Sequence, residues 1–330
     1  MMEKQKFIQY GFGPIGQRVA SYAIDRGFEL EAVIDSDPAK AGKNAGEILG
    51  KDLSVIIQDS SYDVFKSSKS NLVFLTTMSA LEDAYPQILN CIHFKKNIVS
   101  TCEELSYPWK QNYHLSSRID MLAKLNKVAV VGTGVNPGFA MDALPVFLSS
   151  ICKDVESVRI ERYQDASIRR LPFQKKIGAG CTLEEFDALV KEKKIRHVGF
   201  TESVQMIAKS LGWELEKIEE TIEPVIAKKR VKSEFLKVPK GRVCGVDQIC
   251  KGYMNGKEAI TLELQAYLGH KKPHDAVMIK GEPNITSVVK GGINGDIATC
   301  AIAVNAAKKI LESEPGLKTM LDLGLTSWYK

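Results

Sequence analysis

The chain is short of the runs and clusters that mark membrane, metal or nucleic-acid proteins. No apolar stretch among its 330 residues approaches the roughly 18 that cross a bilayer. Met1-Met2-Glu3-Lys4 lead straight into an apolar strand with no leader pattern, so a cytoplasmic protein is expected. Five histidines (His93, His114, His197, His270, His274) form no ligand pattern, and Pro273 breaks any helix face shared by His270 and His274. No metal is expected. The seven cysteines, at positions 91, 102, 152, 181, 244, 250 and 300, contain no C-x-x-C pair. An odd, scattered set reads as reduced thiols. Net charge is only +5 and dispersed, which argues against a nucleic-acid partner. The densest basic run, Lys228-Lys229-Arg230 with Lys232, reads as a solvated strand edge. There is no internal repeat and no low-complexity segment.

What remains is an ordinary globular balance, 44% hydrophobic and 26% charged, with length enough for about two domains. The N-terminal half alternates strand and helix. Strands read at 6–10, 30–35, 53–58, 71–76, 97–101 and 128–131, with helices at 14–25, 80–94 and 108–125. The strands are continuous apolar runs, such as Leu72-Val73-Phe74-Leu75, so both faces should be buried in a parallel sheet. Beyond about 140 the pattern changes. A helix at 142–151 and a strand at 155–163 are followed by helices at 183–193 and 202–211. Alternating runs at 216–227, 241–254 and 258–268 then read as strands of a sheet with one buried face. The expected fold is α/β: a doubly wound parallel sheet over 1–140, then an α+β domain with a mixed sheet over 141–330. The last helix, about 296–313, is read as able to return to the first domain.

The first strand runs into Gly11-Phe12-Gly13-Pro14-Ile15-Gly16 and a helix, and the second ends on Asp35, 19 positions after Gly16. Glycines allow a tight turn and close approach to a pyrophosphate, which the helix N-terminus attracts. Asp35 can accept from the adenosine ribose hydroxyls, favouring NAD. Ser36, Lys40 and Lys43 lie close enough to offset its repulsion of a 2′-phosphate, so NAD is expected to be preferred and NADP tolerated.

A parallel sheet binds ligands beyond the carboxyl ends of its strands. Three such positions carry polar groups: Thr76-Thr77-Met78, Ser100-Thr101-Cys102-Glu103-Glu104-Leu105, and Gly132-Thr133-Gly134-Val135-Asn136-Pro137-Gly138-Phe139. The first should lie over the cofactor's ribose or nicotinamide. In the second, a carboxylate beside a nicotinamide can take a proton or hold a cation, but spacing does not separate Glu103 from Glu104. Cys102 has no partner histidine and reads as packing. Asn136 either shapes a turn or contacts ligand. Phe139 and Tyr163 read as core or pocket wall. His197, set on a strand by the pattern, is a surface residue or a substrate contact. Asn305 is a helix-surface residue or a cofactor contact.

These motifs resemble the 2,4-diaminopentanoate dehydrogenases and the related native amine dehydrogenases, relatives of the dihydrodipicolinate reductases. The likeness spans most of the chain: Gly11–Gly16, residues 100–108, Gly134-Val135-Asn136-Pro137-Gly138-Phe139, residues 174–180, and Gly295-Asp296-Ile297-Ala298-Thr299. It implies that Glu104 is the catalytic group. Glu104 stands where glucose-fructose-oxidoreductase-like enzymes have the lysine of a Glu-Lys-Pro tripeptide, so a sugar dehydrogenase is disfavoured. The His-His pair of dihydrodipicolinate reductases is missing. The resemblance further implies an NAD(P)-dependent amine dehydrogenase, a homodimer built through the second sheet, and Asn136, Pro137, Phe139, Tyr163, His197 and Thr299 as substrate contacts. The substrate by analogy is 2,4-diaminopentanoate, whose carboxylate would want one of Arg162, Arg169, Arg170 or Arg196. Simple amines or ketones with ammonia are alternatives. So are another reductase of the same fold and a non-catalytic dinucleotide sensor.

Overall fold

Leu72-Val73-Phe74-Leu75 offers no polar face to water, and all four residues are buried. The same holds for the strand ending at Gly132. Such strands are the centre of a seven-stranded sheet in the computed structural model, which describes residues 4–329. Its first unit, made of the residues up to Phe139 and those from Asn294 on, begins by alternating strand and helix. The order is β1 (Lys6–Tyr10), α1 (Pro14–Asp25), β2 (Glu29–Ile34), α2 (Ala45–Leu49), β3 (Ile57–Gln58), α3 (Ser61–Ser67), β4 (Leu72–Leu75), α4 (Leu81–His93), β5 (Asn97–Ser100), α5 (Tyr113–Leu125) and β6 (Ala129–Gly132). Ala140–Ile293 form the second unit. It contains α6 (Ala143–Ser149), β7 (Asp154–Asp165), α7 (Leu171–Lys176), α8 (Leu183–Lys191), α9 (Phe200–Ser210), β8 (Lys217–Ile226), β9 (Val231–Lys232), β10 (Lys237–Val238), β11 (Val243–Met254), β12 (Lys257–Tyr267), β13 (His274–Glu282) and β14 (Ile285–Lys290). The chain ends in the first unit with α10 (Gly295–Glu312) and β15 (Gly316–Lys318).

The first sheet has the order β15-β6-β5-β4-β1-β2-β3, with every pair parallel. Strand order reverses between β1 and β4, the place where such Rossmann-like sheets open a ligand crevice. α10 packs on α1 and β5, and its buried residues include Ala303, Ala306 and Ala307. Their size lets the helix lie close to both.

The second sheet is mixed, in the order β14-β13-β7-β12-β11-β8, with only β7 and β12 parallel. Period-two alternation sets its faces. Val158 and Ile160 of β7 are buried with Leu262 and Leu264 of β12 and with Val277 and Ile279 of β13. The other face carries Arg159, Glu161, Tyr163 and Glu263. Arg159 pairs with both glutamates, and Tyr163 Oη donates to Glu263 Oε1 at 2.9 Å. Arg162 breaks the apolar pattern. It is buried, and its Nη1 lies 2.6 Å from Asp275 Oδ1. Its Nη2 donates to Ile293 O (3.0 Å), while Asp275 Oδ2 accepts from Ile293 N–H (2.6 Å).

Several sequence expectations are corrected. The strand expected at 53–58 shrinks to Ile57–Gln58, because Asn44 Oδ1 takes the Val55 N–H in a turn. The helix expected from 108 starts at Tyr113. β13 and β14 carried no clean alternation, and β15 is three residues long. The Lys228–Arg230 run lies in an exposed bend after β8, not on a strand.

Candidate active site

The glycine turn joins β1 to α1 and rests on a polar anchor that the apolar pattern concealed. Gln9, fully buried in β1, donates through Nε2 to Gly11 O (3.0 Å) and Thr76 Oγ1 (2.9 Å). Thr76 Oγ1 donates to Gly11 O at 2.9 Å. The Thr76 hydroxyl therefore shapes the turn from below. A Cβ on Gly16 would lie 2.0 Å from Gly11 O, so only glycine permits this approach. A Cβ on Gly13 would meet nothing within 4 Å, which leaves the backbone open to a ligand. α1 starts with Pro14 and no side-chain cap, so its first N–H groups remain for an anion. Phe12 and Ile15 complete the turn, with the Phe12 ring wholly in the core.

Asp35 follows β2 and is 8% exposed. Its Oδ2 accepts from Phe12 N–H at 2.6 Å, tying the acid to the turn. Ser36 beside it is exposed. These residues fit the pyrophosphate and adenosine ribose of a dinucleotide: an open backbone cradle, an uncapped helix start and an acid beside them.

Glu104 lies in a single 3₁₀ turn, Glu103–Leu105, after β5. Its Oε2 accepts from the N–H of Leu81, the first residue of α4, at 2.8 Å. The N-cap of α4 is Ala80, which has no side-chain acceptor, and Glu104 supplies one from across the sheet edge. Glu104 N–H donates to Ser79 O (3.3 Å), as does the Cys102 thiol (3.2 Å). Residues 79–81 thus orient Glu104 from side chain and backbone together. Oε1 has no hydrogen-bond partner among the described residues. In Glu103, the main-chain carbonyl accepts from Ser106 Oγ at 2.8 Å.

The floor of this turn is Gly132, where β6 ends. A Cβ there would sit 2.5 Å from the Leu105 carbonyl carbon and 2.7 Å from Ser106 N, both backbone atoms. Gly132→Ala must push the Glu104 turn away. Turnover is expected to fall at least about tenfold with a lowered Tm, since a misplacement near 1 Å costs about a hundredfold in catalysis. Steady-state kinetics and thermal melts check this.

The third loop is pinned from α10. Thr299 Oγ1 accepts from Val135 N–H at 3.2 Å, so Thr299 shapes this loop. Asn136 and Pro137, joined by a cis peptide, are buried, and Phe139 is exposed. Thr133 of the same loop directly follows β6. Its Oγ1 is buried without a partner among the described residues, at the end of β6 in the crevice. Thr77 Oγ1 bonds Gln87 Oε1, and Met78 is exposed.

Asn305 does not belong with the cofactor residues. Its Oδ1 accepts from Arg26 Nη1 (3.1 Å), and Arg26 is the C-cap of α1, about 18 Å along the helix from the glycine turn. A polar residue in an apolar helix signalled a contact here, but its partner is structural. His197 lies in the loop between α8 and α9, not on a strand. Gln248 holds its main chain on both sides, at 2.8 and 2.9 Å. Tyr163 is on β7, its ring 4.7 Å from that of His274. Burial, then the bond to Glu263, pushes the Tyr163 phenol up. Arg162 is consumed by Asp275 and drops out as a carboxylate receptor. Arg196 pairs with Glu220 at 3.6 Å, and the Arg169 guanidinium lies over the Phe173 ring.

Burial also raises the thiols of Cys91 and Cys102. Cys152 and Cys181 are the only two cysteines not buried. A thiol reagent applied to native protein should therefore label those two rapidly and the other five only on unfolding. Fast labelling of Cys102 would contradict its packing role.

Comparison with known proteins agrees in sequence and fold. A family profile for the 2,4-diaminopentanoate dehydrogenase C-terminal domain matches residues 139–329. A 2,4-diaminopentanoate dehydrogenase from Acetoanaerobium sticklandii is 33% identical over 336 residues, covering 98% of this chain and 94% of that protein. An amine dehydrogenase from Streptomyces virginiae is 24% identical over 350 residues, 96% of each. The solved structure of an amine dehydrogenase from Mycobacterium smegmatis superposes with a TM-score of 0.88 at 22% identity, covering 99% of this chain and 98% of the other.

Proposed function

The chain belongs to the 2,4-diaminopentanoate dehydrogenase family, and from that premise we propose a specific reaction: oxidative deamination of 2,4-diaminopentanoate to 2-amino-4-oxopentanoate and ammonia, coupled to NAD in preference to NADP. The family membership makes it an oxidoreductase acting on amines. The reverse reaction is amination of small ketones. The observation that carries the reading is Glu104, a carboxylate with one oxygen fixed by the start of α4 and the other unengaged within the first unit.

When bound at the glycine turn, the nicotinamide dinucleotide supplies the hydride acceptor or donor. The chain supplies position, charge and proton transfer. In deamination, Glu104 Oε1 takes a proton from the substrate ammonium, giving the neutral amine. With that proton passed on to water, the Glu104 carboxylate is charged again, and it stabilises the cationic iminium as it forms more than it stabilises the neutral amine. Water then adds to the iminium carbon and sheds a proton to the Glu104 carboxylate, which returns it to the nitrogen; the C–N bond breaks, ammonia leaves, and the hydroxyl proton goes back to the carboxylate as the carbonyl forms. A lysine in this place would repel the same cation. Asp35 orients the adenosine ribose, and Asn136, Pro137, Phe139 and Thr299 are the proposed substrate contacts within the first unit. The reading takes the chain as cytoplasmic and as a homodimer built through the six-stranded sheet.

The test is NAD(P)⁺ reduction with 2,4-diaminopentanoate, beside NAD(P)H oxidation by a panel of small ketones with and without ammonium. Turnover in the first and ammonium dependence in the second are expected. Ketone reduction indifferent to ammonium would replace the proposal with another reductase of this fold, and binding without turnover would leave a sensor.

A further inference from the structure

The acid that faces the adenosine ribose does not stand alone. Asp35 Oδ2 accepts from Phe12 N–H (2.6 Å) and from Lys40 Nζ (3.1 Å), and Oδ1 accepts from Asp37 N–H (2.9 Å). A carboxylate has about four acceptor positions, so three are filled before any ribose arrives. Lys40 Nζ also lies 3.2 Å from Asp37 Oδ2.

Lys40 is brought there by the local turn rather than by chance extension. Asp37 Oδ1 accepts from Ala39 N–H (2.9 Å), and Asp37 O accepts from both Lys40 N–H (2.9 Å) and Ala41 N–H (3.1 Å). Pro38 within this turn restricts the backbone further. The ammonium is thereby returned over the end of β2. Its side chain is 25% exposed, so solvent reaches it.

We propose that Lys40 is the residue that sets the NADP-to-NAD affinity ratio, by giving a 2′-phosphate a cation at the place where Asp35 would otherwise repel it. The proposal rests on reading the first unit as a dinucleotide-binding domain. With NAD, Lys40 stays between the two aspartates while the remaining acceptor position of Asp35 takes a ribose hydroxyl. With NADP, the 2′-phosphate enters beside Asp35 and its oxygens take the Nζ donors. Asp37 then loses an ion pair that is half solvated and costs little to give up. Burial works against the Lys40 charge, but the bonds to Asp35 and Asp37 outweigh it and raise its pKa. The cation therefore persists through neutral pH. Lys43, one turn on, is exposed.

The experiment is equilibrium binding of NADH and NADPH by nicotinamide fluorescence, with calorimetric titration of 2′,5′-ADP and 5′-ADP as probes that need no turnover. Lys40→Met is expected to raise the ratio Kd(NADPH)/Kd(NADH) about tenfold or more, the weight of one charged hydrogen-bonded contact. The same shift should appear between 2′,5′-ADP and 5′-ADP. Lys40→Arg should hold the ratio within about threefold, since the fork still binds phosphate. Wild-type NADPH affinity should weaken as pH falls through about 6, where a phosphate gains its second proton; NADH affinity should show no such step. An unchanged ratio in Lys40→Met, or a wild type that binds NADH but not NADPH, overturns the role of Lys40 alone. A wild type that binds neither overturns the dinucleotide reading and the proposal with it.

Discussion

Glu104→Gln should lower kcat by about 10²–10⁴-fold, the usual weight of a positioned general base, while the protein remains folded and still binds nicotinamide cofactor. The amide has the size of the carboxylate, and its oxygen can still accept from Leu81 N–H, so α4 keeps its cap. What it loses is the proton acceptor and the negative charge facing the iminium. Both losses act on the chemical step, so kcat and kcat/KM should fall together. Glu104→Asp should be intermediate, because the shorter side chain cannot reach Leu81 N–H and the substrate at once. Measurement requires kinetics of both variants in both directions, with cofactor titrations as the folding control. A kcat within about tenfold of wild type would move catalysis to Glu103.

Asp275→Ala is the largest expected loss of stability, about 3–5 kcal/mol, because it strands the buried Arg162 guanidinium. Burial pulls the Arg162 pKa down, with Asp275 opposing that shift, so removal of the aspartate leaves the desolvation uncompensated. Asp275 Oδ2 also holds Ile293 N–H, and Arg162 Nη2 holds Ile293 O, so the end of the second unit loosens too. Arg162→Met should cost a similar amount. Replacing both residues by apolar ones should recover part of the loss but not all, since the Ile293 backbone groups stay without partners. Urea titration of the four proteins forms the double-mutant cycle. A single-variant loss below about 1 kcal/mol would mean that solvent reaches this pair.

The parts of the first unit that were legible in sequence are those dictated by short-range patterns. β1, the glycine turn, α1 and Asp35 follow from the spacing of apolar runs, glycines and one acid. The continuous apolar strands announced a sheet buried on both sides. What stayed hidden is what a side chain does with a distant backbone. Glu104 was visible as an acid after a strand, but its partner is a main-chain N–H, 23 residues away, that carries no residue signature. Gln9 looked like one polar interruption of an apolar strand, although its amide supports both Gly11 and Thr76. Asn305 misled in the opposite direction, for a polar residue on an apolar helix carries no information about which neighbour it meets. β13 and β14 escaped because His274, Asp275 and the Glu282-Pro283 turn interrupt their alternation. Their strand character comes from pairing with β7 and with each other.

The seven-stranded sheet is interrupted in the sequence by the whole second unit, and this makes the order of synthesis matter. α10 seals α1 and β5, yet it is translated only after Ala140–Ile293. At roughly 5–20 residues per second, the nascent sheet waits about ten seconds or more with that apolar surface bare. During this interval the second unit, continuous in sequence, can reach its own fold first. A chain arrested before Gly295 would carry the glycine turn and Asp35 but lack the helix that packs on α1 and β5. Such a fragment would leave that apolar surface bare for chaperones and proteases to meet.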